Sequence, residues 1–115
     1  MNAARCLIVD DSAAFRAAAR SMLERGGFEV VGTAGDAEEA MRLTAHLHPD
    51  IALVDVDLGD DSGFDVARRL SGVGVILTST HDEQDFADLI AASPALGFLP
   101  KLTLSCDGIR ELLAR

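Results

Sequence analysis

Residues 51–56 read IALVDV, an apolar run without alternation of polar and apolar side chains. A strand with one wet face alternates, whereas a strand covered on both faces does not. The run therefore predicts a central strand of a parallel sheet sandwiched between helices, with Asp55 at its carboxyl end. Outward from it, short apolar runs and helical periodicity take turns. RCLIV (5–9) is a strand that ends at Asp10 and Asp11, and Ser12 caps a helix with Phe15, Ala18, Met22 and Leu23 at helical spacing. Gly26 and Gly27 stop that helix before a second strand, FEVVG (28–32). Asp36 caps the next helix, whose face is Ala37, Ala40, Met41, Thr44 and Leu47 and whose end is His48 with Pro49.

Beyond the central strand the same alternation continues. Residues 63–70 are a short helix and VILTS (75–79) a fourth strand. Residues 82–92, DEQDFADLIAA, form an acidic amphipathic helix with Phe86, Leu89 and Ile90 inward. GFLP (97–100) is a fifth strand, and residues 103–115 close the chain as a helix with Ile109, Leu112 and Leu113 on one stripe. Five βα units with right-handed crossovers give an α/β fold: a flavodoxin-like, doubly wound, five-stranded parallel sheet in the order 2-1-3-4-5. A length of 115 residues suits one domain spanning 1–115.

Composition narrows the function classes. A formal charge of -9 with ten scattered basic residues argues against direct nucleic-acid binding and for a basic partner or a bound cation. No apolar run approaches the roughly 20 residues that cross a bilayer, and no secretory signal opens the chain, so a cytoplasmic protein without membrane contact is expected. Cys6 and Cys106 lack metal-ligand spacing and read as free thiols, while His46 and His48 read as helix-end residues. Nine of the basic residues are Arg, and Lys101 is the only Lys.

In an open α/β sheet, ligands gather beyond the carboxyl ends of the strands. Those ends carry Asp10 and Asp11, Asp55, then Thr78, Ser79 and Thr80, and finally Lys101. Converging carboxylates repel one another unless a hard divalent cation joins them, and oxygen ligands with room for water suit Mg²⁺. A lysine and a hydroxyl beside such a centre can hold a phosphoryl group, with Asp55, at the end of the buried strand, as the attacking oxygen.

The segments LIVDDS, DVDLGDDSG, VILTSTHD and GFLPK together resemble the receiver domains of bacterial two-component response regulators over nearly the whole chain. The resemblance implies that Asp55 accepts a phosphoryl group and that Asp10 and Asp11 hold Mg²⁺, with the backbone carbonyl of Asp57 completing the metal site. It implies that Lys101 contacts the phosphoryl group, that Ser79 is the hydroxyl switch residue, and that Phe98 is the aromatic whose rotamer follows it. Thr78 is the alternative to Ser79 if the register lies one residue earlier. A sensor histidine kinase or phosphotransfer protein is then the donor, and a face made by the fourth helix, fifth strand and fifth helix controls a partner, an output domain or a homodimer. On this reading the domain is not an enzyme beyond its own phosphorylation and dephosphorylation, and the chain is either a stand-alone receiver or a fragment of a longer regulator.

Three departures stand out. Gly59 takes a place where the family often has Pro, which loosens that loop; Leu102 follows the lysine where Pro in a cis peptide is usual; and the segment from Asp55 to Ser79 is short. Asp60 and Asp61 read as loop solvation. Asp57, Thr80 and His81 lie where a hydrolytic water must approach, so they are expected to set the lifetime of the phosphoryl group. Two other classes share some features: a phosphorylation-independent scaffold, and a haloacid-dehalogenase-like phosphohydrolase suggested only by Asp55-Val56-Asp57.

Overall fold

The computed structural model describes residues 3–115. Its strands are β1 (Arg5–Val9), β2 (Glu29–Ala34), β3 (Ile51–Asp55), β4 (Gly74–Ser79) and β5 (Gly97–Pro100). They pair in parallel in the order β2-β1-β3-β4-β5, the order expected from the sequence. Between them run α1 (Ala13–Arg25), α2 (Ala37–Leu47), α3 (Gly63–Arg69), α4 (Ala87–Ala91) and α5 (Cys106–Leu113).

All five residues of β3 are buried, and their side chains divide between two cores. Ala52 and Val54 join Leu7, Val9, Leu77 and Phe98 beneath α2 and α3, whereas Ile51 and Leu53 join Ile8, Ile76, Leu23 and Ile109 beneath α1 and α5. Period-two alternation across two apolar layers is why the strand shows no polar alternation. Short polar residues start the helices: the side chains of Ser12, Asp36 and Ser105 accept hydrogen bonds from the backbone N–H groups of Phe15, Glu39 and Gly108. His48 ends α2 in the left-handed region at φ 48°, and its N–H donates to the Thr44 carbonyl.

Two helices differ from the sequence expectation. Residues 82–92 are not one amphipathic helix: a 3-10 turn, Glu83–Phe86, is followed by the short α4. Asp82 makes no side-chain cap, and Phe86 leaves helical geometry (φ -124°, ψ 17°) to pack against Phe64 and Phe98. Phe86 and Ile90 do face the core, but Leu89 is 51% exposed. The closing helix begins at Cys106 rather than Thr103, because Lys101–Thr103 form a 3-10 turn and Ser105 is the cap. Ile109 and Leu112 are buried as expected, while Leu113, one turn past Ile109 and the last residue of α5, is 38% exposed.

The two cysteines occupy different environments. Cys6 is buried in β1, and burial, aided by the Asp50 charge, pushes its thiol up to about 12. Cys106 is only partly buried. In the native protein a thiol-specific alkylating agent is expected to modify Cys106 and spare Cys6, with the second label appearing only in denaturant. The unfolded thiol ionises near pH 9 and the folded one near 12, so the folded state retains the proton in that window and stability falls as pH rises through it. With no Tyr and a single Lys in the chain, few other groups titrate there. Denaturant titrations across pH 9–11 should therefore show a shallower loss of stability in Cys6→Val than in the parent; parallel losses would contradict the assignment.

Candidate functional site

The carboxyl edge of the sheet collects the charged residues. Asp10 follows β1, and its N–H donates to the Ala34 carbonyl at 2.9 Å, so the pairing of β1 with β2 carries Asp10 into the interior. Its Oδ1 accepts the Ser12 N–H at 2.8 Å, a turn that leads into α1. Its carbonyl accepts from Arg16 at 2.7 Å. Asp11, next in sequence, is exposed.

Asp55 is the last residue of β3 and is buried. One carboxylate oxygen accepts the Asp57 N–H at 3.0 Å, and the other accepts from Lys101 Nζ at 2.9 Å. Burial raises the Asp55 carboxyl above its ordinary value; the Asp57 N–H and the Lys101 ammonium oppose this, and Asp10 adds to it. Lys101 follows β5 directly. Its Nζ also lies 2.6 Å from Asp10 Oδ2 and 4.2 Å from the centroid of the Phe15 ring. Burial acts to lower the lysine, but the Asp10 and Asp55 carboxylates outweigh it and hold the ammonium above its usual value. A side chain charged at every physiological pH thus bridges the ends of three strands.

Carboxylate oxygens of Asp10, Asp11 and Asp55 lie within 4.8 Å of one another. At an effective dielectric near 20, unit charges 4 Å apart interact by about 4 kcal/mol. Lys101 offers two such attractions against three mutual repulsions. The buried Asp10 Oδ2 is met by the Lys101 ammonium at 2.6 Å. An excess of hard carboxylate oxygens over one ammonium fits a divalent cation of the Mg²⁺ type.

The loop after Asp55 is built around glycines. Gly63 opens α3 with its N–H on the Val56 carbonyl at 2.9 Å, and a Cβ there would collide with the backbone of Asp55 and Val56. Between them, Asp57–Leu58 and Asp61–Ser62 pair as a small antiparallel ribbon. Gly59 takes φ 75° at the first position of its two-residue turn, a conformation that suits Gly and excludes Pro. The loosening expected from Gly59 is thus corrected: the glycine makes a tight turn. Asp61 is likewise more than solvated loop, because its carboxylate accepts the N–H of Ala37 at 3.1 Å and ties the ribbon to the start of α2. Nothing in the local sequence signalled that long-range cap. Asp60 is exposed, as expected.

On β4, Thr78 is level with Asp55, and Ser79 is the last residue. Both are buried. Leu77 pairs with Phe98 and shares its core, so alternation puts Ser79 on the Phe98 face and Thr78 on the opposite one. Ser79 Oγ accepts the His81 N–H at 3.0 Å, which leaves its own hydroxyl proton available for donation. Phe98 is 6% exposed, with its ring centroid 6.3 Å from that of Phe86. Asp57, Thr80 and His81 are exposed. Asp57 caps the Gly59 N–H at 3.3 Å, and the His81 ring meets the Phe86 edge at 6.1 Å. Thr80 lines a shallow apolar cleft with Phe15, Lys101 and Leu102, the last 96% exposed. There is no cis peptide among the described residues, in line with Leu102 after the lysine. Phe15 is the contact that sequence periodicity hid, since it read as an ordinary core residue of α1.

The sheet order agrees with the comparisons. The family model for the response regulator receiver domain matches residues 6–112, and the chain belongs to that family. A putative transcriptional regulator of Pseudomonas aeruginosa is 32% identical over 113 residues, covering 95% of this chain and 53% of that protein. The transcriptional regulatory protein PdtaR of Mycobacterium tuberculosis is 32% identical over 124 residues, covering 96% of this chain and 60% of its own length. Among solved structures, a LuxR-family two-component response regulator from Aurantimonas sp. SI85-9A1 is similar with a TM-score of 0.87 at 28% identity, covering 99% of this chain and 88% of that one. The signal receiver domain of the putative response regulator NarL from Mycobacterium tuberculosis also gives 0.87 at 28% identity, over 99% and 96% of the two chains. The chain spans about half the length of the curated relatives it matches. It is the receiver domain of a two-component response regulator, a signalling domain. No helix among the described residues is long and apolar enough to cross a membrane.

Because the loop after Asp55 packs backbone against backbone at Gly63, Gly63→Ala is expected to cost about 1–3 kcal/mol in a denaturant titration. A Gly72→Ala control, where a Cβ meets nothing but φ is 77°, should lose less, about 1 kcal/mol. Equal losses would contradict the close approach.

Proposed function

We propose that the domain accepts a phosphoryl group on Asp55 and thereby switches the face formed by α4, β5 and α5. The observation that supports this most strongly is the one lysine held on Asp55 and Asp10 at the carboxyl edge of the sheet. A carboxylate oxygen of Asp55 attacks phosphorus while the bond to the donor, a phosphohistidine nitrogen or an acyl phosphate oxygen, breaks. The phosphohistidine of a sensor histidine kinase or phosphotransfer protein leaves as imidazole. Lys101 neutralises charge gathering on the transferred group, and the Ser79 hydroxyl donates a hydrogen bond to it. Asp10, Asp11, Asp55 and the Asp57 carbonyl would hold Mg²⁺, which supplies further charge neutralisation for the phosphoryl oxygens. Loss of the group reverses the bond changes: water attacks phosphorus, the Asp55 oxygen leaves, and phosphate departs.

Switching follows from the shared sheet face. Ser79 drawn toward a phosphoryl group releases space next to Phe98, whose ring then moves with it and changes its packing on Phe86. The added charge biases a two-state equilibrium through contacts made in one state only. The output is a partner or an appended domain in the cytoplasm.

Acetyl phosphate with Mg²⁺ is expected to give a single phosphoryl adduct in the intact mass of the parent and none in Asp55→Asn. An adduct retained in that variant would overturn the assignment. Asp57, Thr80 and His81 act on its lifetime through the approach of water. Alanine at each position should alter the dephosphorylation rate with little effect on adduct formation; three unchanged rates would contradict this role.

A further inference from the structure

The ammonium of Lys101 has three N–H groups and two carboxylate partners, Asp10 Oδ2 at 2.6 Å and Asp55 Oδ2 at 2.9 Å. No third oxygen among the described residues accepts from it, yet its side chain is only 14% exposed. The third contact is aromatic: the centroid of the Phe15 ring lies 4.2 Å from Nζ. The start of α1 sets that placement. Ser12 donates its N–H to Asp10 Oδ1 at 2.8 Å, and its hydroxyl accepts the Phe15 N–H at 3.2 Å. Arg16 fixes the same turn by donating to the Asp10 carbonyl at 2.7 Å. Side chains on a helix lean toward its N-terminus, so a ring in this first turn reaches back toward the edge where β1 ends. Asp10 thus holds the ammonium with one carboxylate oxygen and, with the other, the turn that carries the ring.

We propose that Phe15 is a positioning residue for phosphoryl transfer: its ring face keeps the Lys101 ammonium at the carboxyl edge while the ammonium passes from the Asp55 carboxylate to the arriving phosphoryl group. This role rests on the reading of Asp55 as the acceptor. With acetyl phosphate, an Asp55 oxygen bonds to phosphorus, the bond from phosphorus to the donor oxygen breaks, and acetate leaves. The carboxylate charge of Asp55 is lost in that step, and negative charge now lies farther out, on the phosphoryl oxygens. Lys101 therefore has to change partners during the reaction. An oxygen acceptor at position 15 would hold one N–H in a fixed direction and resist the change. Attraction to a ring face acts out to about 6 Å from the centroid and persists as the cation moves across it. An aliphatic side chain gives no such attraction and leaves the ammonium free to turn toward water.

Lys101 is the sole lysine, so protein grown on isotope-labelled lysine gives one ε-methylene signal in a proton–carbon NMR spectrum. Read without donor, that signal should lie upfield of free lysine in the parent, because a ring current shields groups above its face. It should return toward the free position in Phe15→Leu and Phe15→Met and stay upfield in Phe15→Tyr. Adduct formation is then followed by intact mass at limiting acetyl phosphate with Mg²⁺, a donor with no protein surface, so a changed rate reports the site and not docking. Phe15→Leu and Phe15→Met should form the adduct about three- to tenfold more slowly than the parent, and Phe15→Tyr should recover most of the rate. Denaturant titration of each variant separates loss of folded protein from loss of rate. Folded Phe15→Leu and Phe15→Met proteins that react as fast as the parent would overturn this role and leave the proposed function standing. A parent signal at the free position would overturn it too, as would equal slowing in Phe15→Tyr, which would assign the effect to packing. An upfield signal with no adduct on the parent would overturn the transfer role together with the proposed function.

Discussion

One ammonium holds the site together. Lys101 reaches back from the end of β5 to Asp10 after β1 and Asp55 at the end of β3, and so spans the middle of the sheet at the edge where its strands stop. Without it three carboxylates would crowd a partly buried space with no positive charge between them. With it, Asp55 remains a carboxylate aimed at a positive centre, though still raised by burial. The charge balance stays negative, which suits a divalent cation. Phe15 beneath the ammonium replaces water with a ring face, a contact that favours the charged form at little entropic cost.

The backbone around that ion pair is constrained in ways that serve it. Gly63 lets α3 start against the peptide of Asp55, and the N–H of Asp57 returns to the Asp55 carboxylate. Gly59 closes the ribbon with a left-handed turn, and Asp61 anchors that ribbon to α2. Asp55 is therefore held by the Asp57 N–H on one carboxylate oxygen and by the Lys101 ammonium on the other. On the other side, β4 and β5 present Ser79 and Phe98 on one face of the sheet. The segment they adjoin, Glu83–Ala91, contains no buried residue, and such lightly packed segments are where conformational change costs least.

Much of this was legible in the residues themselves. The unbroken apolar run of β3 announced two covered faces, and parallel strands obliged Asp10, Asp11, Asp55, Ser79 and Lys101 to gather at one edge. What eluded the sequence depended on contacts between distant segments. Phe86 breaks its helix to reach Phe64 and Phe98, a tertiary choice that helical periodicity cannot anticipate. Asp61 caps a helix 24 residues away, whereas cap signals are read from the residues just before a helix. Leu113 matches the stripe in hydrophobicity and in angle, one turn past Ile109, but it is the last residue of α5 and stays 38% exposed.

The proposed function requires Asp55 to be the one nucleophile at this edge. Borohydride reduction of the acetyl phosphate-treated protein, followed by peptide mass spectrometry, tests that directly, because an aspartyl phosphate is reduced to homoserine at the residue that carried it. Homoserine at position 55 alone, formed with Mg²⁺ and lost with a chelator, is the predicted result. Homoserine at Asp10, Asp11 or Asp57, or equal conversion at position 55 in the presence of the chelator, would contradict it.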